Sequence, residues 1–212
     1  IISPLLSNVV LNELDWWIAS QFELMPTQRK YSLQTARNGT EIRGHIYSSF
    51  RKYTALKECF VVRYADDFKI FCRYRSDADK MFIATKMWLK ERLGLDISPE
   101  KSKVVNLKRS YSEFLGFKLR ATPKGKKPNG ETRYVVQSKL NEKSMKKIAE
   151  KLKSAIKEIQ RPSNDTEEYK AIMRYNSMTI GWHTYYRIAT DVNLDLNKYA
   201  FLVHRALKRR LK

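Results

Sequence analysis

Cysteine and histidine are nearly absent from this chain. Two cysteines in 212 residues, Cys59 and Cys72, exclude a disulfide framework and a cysteine-rich zinc site. His45, His183 and His204 lie too far apart in sequence to build a His/Cys metal cluster. Thiols this sparse fit a reducing cytoplasm. No run of about 18 apolar residues occurs, which excludes a bilayer-spanning helix and gives no reason to expect a membrane partner. A starting methionine and a signal-peptide pattern are missing too. Ile1 opens directly into an apolar stretch, so the chain reads as a piece of a longer protein or as one part of a split one.

Acidic residues are also in short supply. Lysine and arginine number 42 against 22 acids, a net charge of +20, while hydrophobic residues make up 42% of the chain. That apolar share is enough to bury a core, in one large domain or two small ones. The cationic surplus attracts polyanions and discourages self-association, and nucleic acid is the partner it fits best. Residues 1–58 carry a net charge of +2, residues 59–137 of +9 and residues 138–212 of +9, so the charge builds toward the C-terminal half.

Periodicity predicts a helix over 4–18, where Leu5, Leu6, Val9, Val10, Leu14 and Trp17 recur at helical spacing behind Ser3 and Pro4 as cap and first helical residue. Residues 26–58 read as an irregular insertion with one or two short strands. Cys59–Tyr64 and Phe68–Arg73 are rich in β-branched and aromatic residues and predict a hairpin. With Ala65-Asp66 as a two-residue turn, Val61 opposes Ile70 and Cys59 opposes Cys72, the two thiols remaining reduced. An amphipathic helix is expected over 77–94, with Ala78, Met81, Phe82, Thr85, Trp88 and Leu89 inward and Gly94 as the stop. A short strand over 103–107 and a second hairpin with a long basic tip, from Phe114–Leu119 to Tyr134–Val136, follow. From 138 the period turns helical: Met145, Ile148, Leu152, Ile156 and Ile159 form a stripe flanked by lysines, and further helices are expected over about 166–188 and 195–211. The fold class is therefore α+β, an antiparallel sheet with packed helices followed by an all-α three-helix unit, with a boundary at 137/138.

Two adjacent carboxylates at a tight turn between apolar strands need a reason, because like charges repel and Asp is a poor strand residue. A divalent cation supplies one: hard oxygen ligands suit magnesium, and nucleotidyl transfer uses metal-bound carboxylates to activate a 3′ hydroxyl and neutralise a leaving pyrophosphate. Arg63, Lys69 and Arg73 nearby are expected to serve phosphates.

The string Tyr64-Ala65-Asp66-Asp67, bracketed by Val61-Val62-Arg63 and Phe68, resembles the catalytic hairpin of reverse transcriptases. Ile1–Asn8 resembles the end of that family's Gln-Gly block and the helix after it. Leu95–Lys103 resembles the stretch after the palm helix, and Phe114-Leu115-Gly116-Phe117 the primer-grip motif. Gly181-Trp182-His183-Thr184-Tyr185-Tyr186 resembles a thumb signature of group II intron proteins, which separates this chain from viral enzymes. CRISPR-linked and diversity-generating bacterial reverse transcriptases stay as alternatives.

The resemblance implies a right-hand polymerase palm over 1–137 and a helical thumb, or maturase domain, over 138–212. Asp66 is implied as a magnesium ligand and Asp67 as its supporting carboxylate, though Asp67 also reads as a turn cap. Lys101 is implied to contact the incoming deoxynucleotide or to protonate pyrophosphate, and reads equally as an exposed lysine after Ser98-Pro99. Leu115 and Gly116 would grip the primer, with an ordinary strand glycine as the other reading of Gly116. Lys143, Lys146, Lys147 and Lys151 would track an RNA–DNA duplex or intron RNA. Trp182, Tyr185 and Tyr186 read as core aromatics in preference to base-stacking ones. A third catalytic carboxylate and the fingers are expected N-terminal to Ile1, so this chain alone is expected not to polymerise. The implied partners are intron RNA, a template–primer duplex, a deoxynucleotide and that N-terminal portion. The other function is an RNA-binding maturase that assists splicing without copying.

Overall fold

The computed structural model describes residues 3–211, and the Ile1-Ile2 part of the first motif lies outside them. The elements, in order, are α1 (Ser3–Gln21), β1 (Gln34–Thr35), β2 (Glu41–Ile42), α2 (Gly44–Tyr53), β3 (Cys59–Tyr64), β4 (Asp67–Cys72), α3 (Arg75–Leu93), β5 (Ser112–Phe114), β6 (Phe117–Lys126), β7 (Thr132–Leu140), α4 (Glu142–Gln160), α5 (Asp165–Tyr186) and α6 (Val192–Arg210). The described residues thus form a mixed α+β fold with small antiparallel sheets, β1–β2, β3–β4 and β5–β6–β7. Contacts divide the chain into two compact units, Ile1–Val104 and Val105–Lys212. Strand gives way to helix after Leu140, close to the change of period at 138, but the three-stranded sheet packs in one unit with the helices that follow it.

In the first unit, α1 lays Leu11, Leu14 and Ile18 inward, and Phe22 just beyond its end is fully buried. Phe22 meets Tyr47, Phe50 and Phe60 at ring-centroid distances of 5.6, 5.6 and 5.7 Å. Trp17 stacks on Trp88 of α3 at 5.4 Å. The buried face of α1 is phased differently from the expected stripe. Leu5, Leu6, Val9 and Val10 are exposed, and the buried apolar face of α1 begins at Leu11. The insertion holds the two short strands and also α2, a helix absent from the sequence expectation. Its apolar residues Ile46, Tyr47 and Phe50 sit among Gly, Ser and basic residues that mask the period, and packing against Phe22 stabilises it.

The β3–β4 register is the expected one, with Cys59 opposite Cys72 and Val61 opposite Ile70. Both thiols are free. Burial, with the neighbouring thiol as a smaller cause, pushes Cys59 up to about 11, and burial with nearby Asp77 does the same for Cys72. Thiolate is the nucleophilic form, so a raised pKa slows attack below that pH. Iodoacetamide alkylation of both thiols at pH 8 is expected to run at least about tenfold slower in the folded chain than after denaturation, and to accelerate as pH approaches 11. Mass spectrometry of the alkylated peptides over a time course measures this.

Helix α3 ends as expected at Gly94, which takes the left-handed conformation with φ of 65°. Residues 103–107 do not form a strand. They run as irregular chain into a turn, although the Leu107 carbonyl accepts a hydrogen bond from Ala121 N on β6 at 2.9 Å. The basic-tipped hairpin is β6–β7, with register shifts between Pro123 and Lys126 near its tip.

In the second unit, Asn141 caps α4 by accepting from Lys143 N, and Asn164 caps α5 by accepting from Glu167 N. Met145, Leu152, Ile156 and Ile159 are buried along α4, so the expected stripe is the core face. One core cluster joins Phe117, Leu140, Met145, Tyr186 and Ala189, and another joins Ala149, Leu152, Ile156 and Val203. Strand β7 is stitched to the start of α6: Ser138 N donates to Thr190 Oγ1 at 3.1 Å, Gln137 Nε2 to Asp191 Oδ2 at 2.6 Å and Leu140 N to Asp195 Oδ2 at 2.8 Å.

Candidate active site

Two consecutive strands of opposite direction, with Tyr64 paired to Asp67, leave Ala65 and Asp66 as the whole of the connecting turn. Ala65 has φ of 54° and Asp66 does not take positive φ, a pattern that fits a type II′ turn. Glycine is the usual residue at that first position, and an alanine there costs about 1 kcal/mol or more. Both carboxylates stand exposed at the end of the hairpin, and neither enters a side-chain hydrogen bond or ion pair among the described residues. Their oxygens are hard donors of the kind magnesium prefers, so they fit such an ion in chemical type. Among the described residues no group of three or more His, Cys, Asp or Glu side chains could hold a metal, so the pair supplies part of a donor set.

Arg63 does not face the phosphates that the sequence suggested for it. Its Nε donates to both oxygens of Asp15 at 3.0 Å and its Nη2 to Asp15 Oδ2 at 2.7 Å, while Nη1 reaches Asn8 Oδ1 at 2.9 Å and the Ala65 carbonyl at 2.8 Å. Residues on the same face of a strand alternate, so Arg63 continues the face of Cys59 and Val61 that packs on α1. Arg73 lies 3.9 Å from Glu58 and over the Tyr74 ring. Lys101 is exposed in a turn closed by Ser102 N donating to the Ser98 carbonyl at 3.0 Å.

Leu115 and Gly116 form the two-residue turn between β5 and β6, with φ of 49° and 81°. Positive φ at both positions is the type I′ geometry, which twists with the flanking strands. The turn is held by the chain around it. Tyr185 Oη donates to the Leu115 carbonyl at 2.9 Å, and Asn141 N donates to the Gly116 carbonyl at 2.8 Å. A Cβ at Gly116 would stand 2.9 Å from Tyr186 Oη, so no side chain fits at this position. Gly116 is therefore not an ordinary strand glycine: its conformation and its neighbour both require the missing side chain.

Tyr186 is buried and Trp182 packs into both core clusters of this unit, whereas Tyr185 stays exposed with its ring 5.6 Å from Phe117. Lys143, Lys146, Lys147 and Lys151 all lie exposed on α4, away from its buried stripe. The site residues named from the sequence thus fall into separate groups: Asp66 with Asp67 at one hairpin end, Leu115 with Gly116 at another, the four lysines on one helix, and Lys101 in a loop. The partners of Arg63 that sequence reasoning missed are Asp15 and Asn8, which stand 48 and 55 residues from it.

The chain is a member of the reverse transcriptase (RNA-dependent DNA polymerase) family, whose model matches residues 1–119. It is also similar to the COX1/OXI3 intron 2 protein of Saccharomyces cerevisiae, at 27% identity over 149 residues, 60% of this chain and 17% of the relative. The chain therefore spans 17% of the length of the curated relative it matches. Both findings agree with the motif resemblance to intron-encoded reverse transcriptases. No helix among the described residues is long and apolar enough to cross a membrane.

Proposed function

We propose that this protein is the reverse transcriptase of a group II intron, an RNA-directed DNA polymerase that also binds its intron RNA to assist splicing. The observation that carries this reading is the exposed, unengaged Asp66–Asp67 pair on a tight hairpin, in a chain whose first 119 residues match the reverse transcriptase family. On this reading residues 1–137 are palm and residues 138–212 are thumb.

Asp66 and Asp67 would hold magnesium. When bound, that ion supplies activation of the primer 3′ hydroxyl and neutralisation of charge on the leaving pyrophosphate. The remaining contributions come from the chain itself. Asp66 lies within the turn and Asp67 opens β4, so the two carboxylates project from a fixed stretch of backbone. Lys101 offers an ammonium to the phosphates of the incoming deoxynucleotide or a proton to pyrophosphate. The Leu115–Gly116 turn, braced by Tyr185, Tyr186 and Asn141, presents its outer edge to the primer strand. Lys143, Lys146, Lys147 and Lys151 contact phosphates without reading sequence, as a net charge of +20 favours.

The test is primer extension on an RNA template by the full-length protein. Incorporation of deoxynucleotides that starts with magnesium and stops with a chelator is expected. Tight binding of structured RNA with no incorporation would instead favour a maturase whose polymerase fold serves only as an RNA scaffold.

A further inference from the structure

A side chain that spends nearly all its donors inside the protein can still act on a reaction through the backbone it holds. Arg63 occupies the last position of β3 on the face that Cys59 and Val61 turn toward α1. It stands only 10% exposed and uses four of its five donor hydrogens on Asp15, Asn8 and the Ala65 carbonyl. Three of those contacts fix it to α1, and the fourth takes hold of the carbonyl that leads directly into Asp66. Ala65 also takes an unfavourable positive φ of 54°. An isolated two-stranded ribbon is a weak support for such a conformation. Strained backbone persists where its surroundings over-determine it.

We propose that Asp15 and Arg63, with Asn8, are positioning residues: they clamp the Ala65 carbonyl to α1 and so fix the direction in which the Asp66 and Asp67 carboxylates project. This deepens the polymerase reading and rests on it for its catalytic consequence. The planar guanidinium is needed because it forks to one carboxylate while reaching a carbonyl on its other edge, which a lysine ammonium cannot do.

Arg63→Lys and Asp15→Asn in the full-length protein are each expected to lower kcat for primer extension about tenfold, since small misplacements at a reacting centre are costly. The half-saturating magnesium concentration should rise several-fold, while KM for the template–primer stays unchanged. The double variant should be no slower than the slower single one, because both changes break the same clamp. Hydrogen exchange at the Asp66 and Asp67 amides should quicken in every variant. A kcat and magnesium response within about twofold of the parent would overturn the proposal, as would a loss of rate that follows melting temperature with magnesium response unmoved. A parent that extends no primer sinks the polymerase reading. The clamp is then judged on exchange alone: turn amides protected in the parent and exposed in the variants uphold it, and equal exchange overturns it.

Discussion

Asparagine in place of Asp66 is expected to reduce primer extension by the full-length protein about a thousandfold or more, since a metal ion contributes several kcal/mol to stabilising charge in the transition state. The exchange is nearly isosteric. Asp66 is exposed and its carboxylate makes no side-chain hydrogen bond or ion pair among the described residues, so nothing in the fold is lost with its charge. Asparagine also suits turns as well as aspartate does. Melting temperature should therefore stay within about one degree of the parent, a surface substitution of this kind being close to neutral. Binding of intron RNA and support of splicing should survive, because the exposed lysines of α4 are untouched. Rapid-quench primer extension beside a filter-binding assay gives both readouts. Full activity in the variant would place the metal site away from this turn. Loss of RNA binding together with synthesis would make the two functions one surface.

Gly116→Ala is the substitution expected to damage stability most. Alanine at φ of 81° leaves its preferred backbone regions, at about 1–2 kcal/mol. Its methyl would also stand 2.9 Å from Tyr186 Oη, a ring buried against Phe117 and Met145 and unable to swing aside, and overpacking of this kind costs about 1–3 kcal/mol. Together these lower the stability of the second unit by about 2–4 kcal/mol, or a fall of roughly 10 °C or more in its thermal midpoint. Tyr186→Phe removes the oxygen that collides, so the double variant should recover part of the loss, and the cycle isolates the contact from the backbone strain. Circular dichroism melts of the four proteins measure it. A single variant that melts with the parent would mean that the turn relaxes without cost.

Much of the first hairpin was legible in the sequence because its information is local. β-branched and aromatic residues flank a turn-forming pair, and a two-residue connection fixes every cross-strand partner, including Cys59 opposite Cys72. Helices α3, α4, α5 and α6 were legible for the same reason, through their period and, for α3, the Gly94 stop. The carboxylate pair stood out because charge repulsion at that turn has no structural use. What was not legible depends on tertiary contact. Leu5 and Val9 have the spacing of a core face, yet the apolar packing of α1 starts only at Leu11. The residues of α2 have little helical preference and are held by the aromatic cluster around Phe22. The chain at 103–107 has strand-like residues but takes no place in a sheet. Arg63 looked like a phosphate ligand because its distant partner, Asp15, sits on another element. Gly116 read as part of a primer grip or as an ordinary strand glycine, and the tyrosine that closes on its missing side chain lies 70 positions later in the same chain.

The seam between β7 and the start of α6 has a consequence for the order in which this chain is made. Its hydrogen bonds join residues separated by 52, 54 and 55 positions. A ribosome therefore delivers the β6–β7 hairpin and all of α4 well before the groups that complete the edge of β7 exist outside the exit tunnel. Local structure in α4 and α5 can form as it emerges, but closure of the sheet waits for Thr190 to Asp195. A pause or truncation anywhere between Leu140 and Asp191 leaves an unpaired strand edge with Tyr134 and Val136 exposed beside it, the form in which nascent chains are most prone to pair with one another.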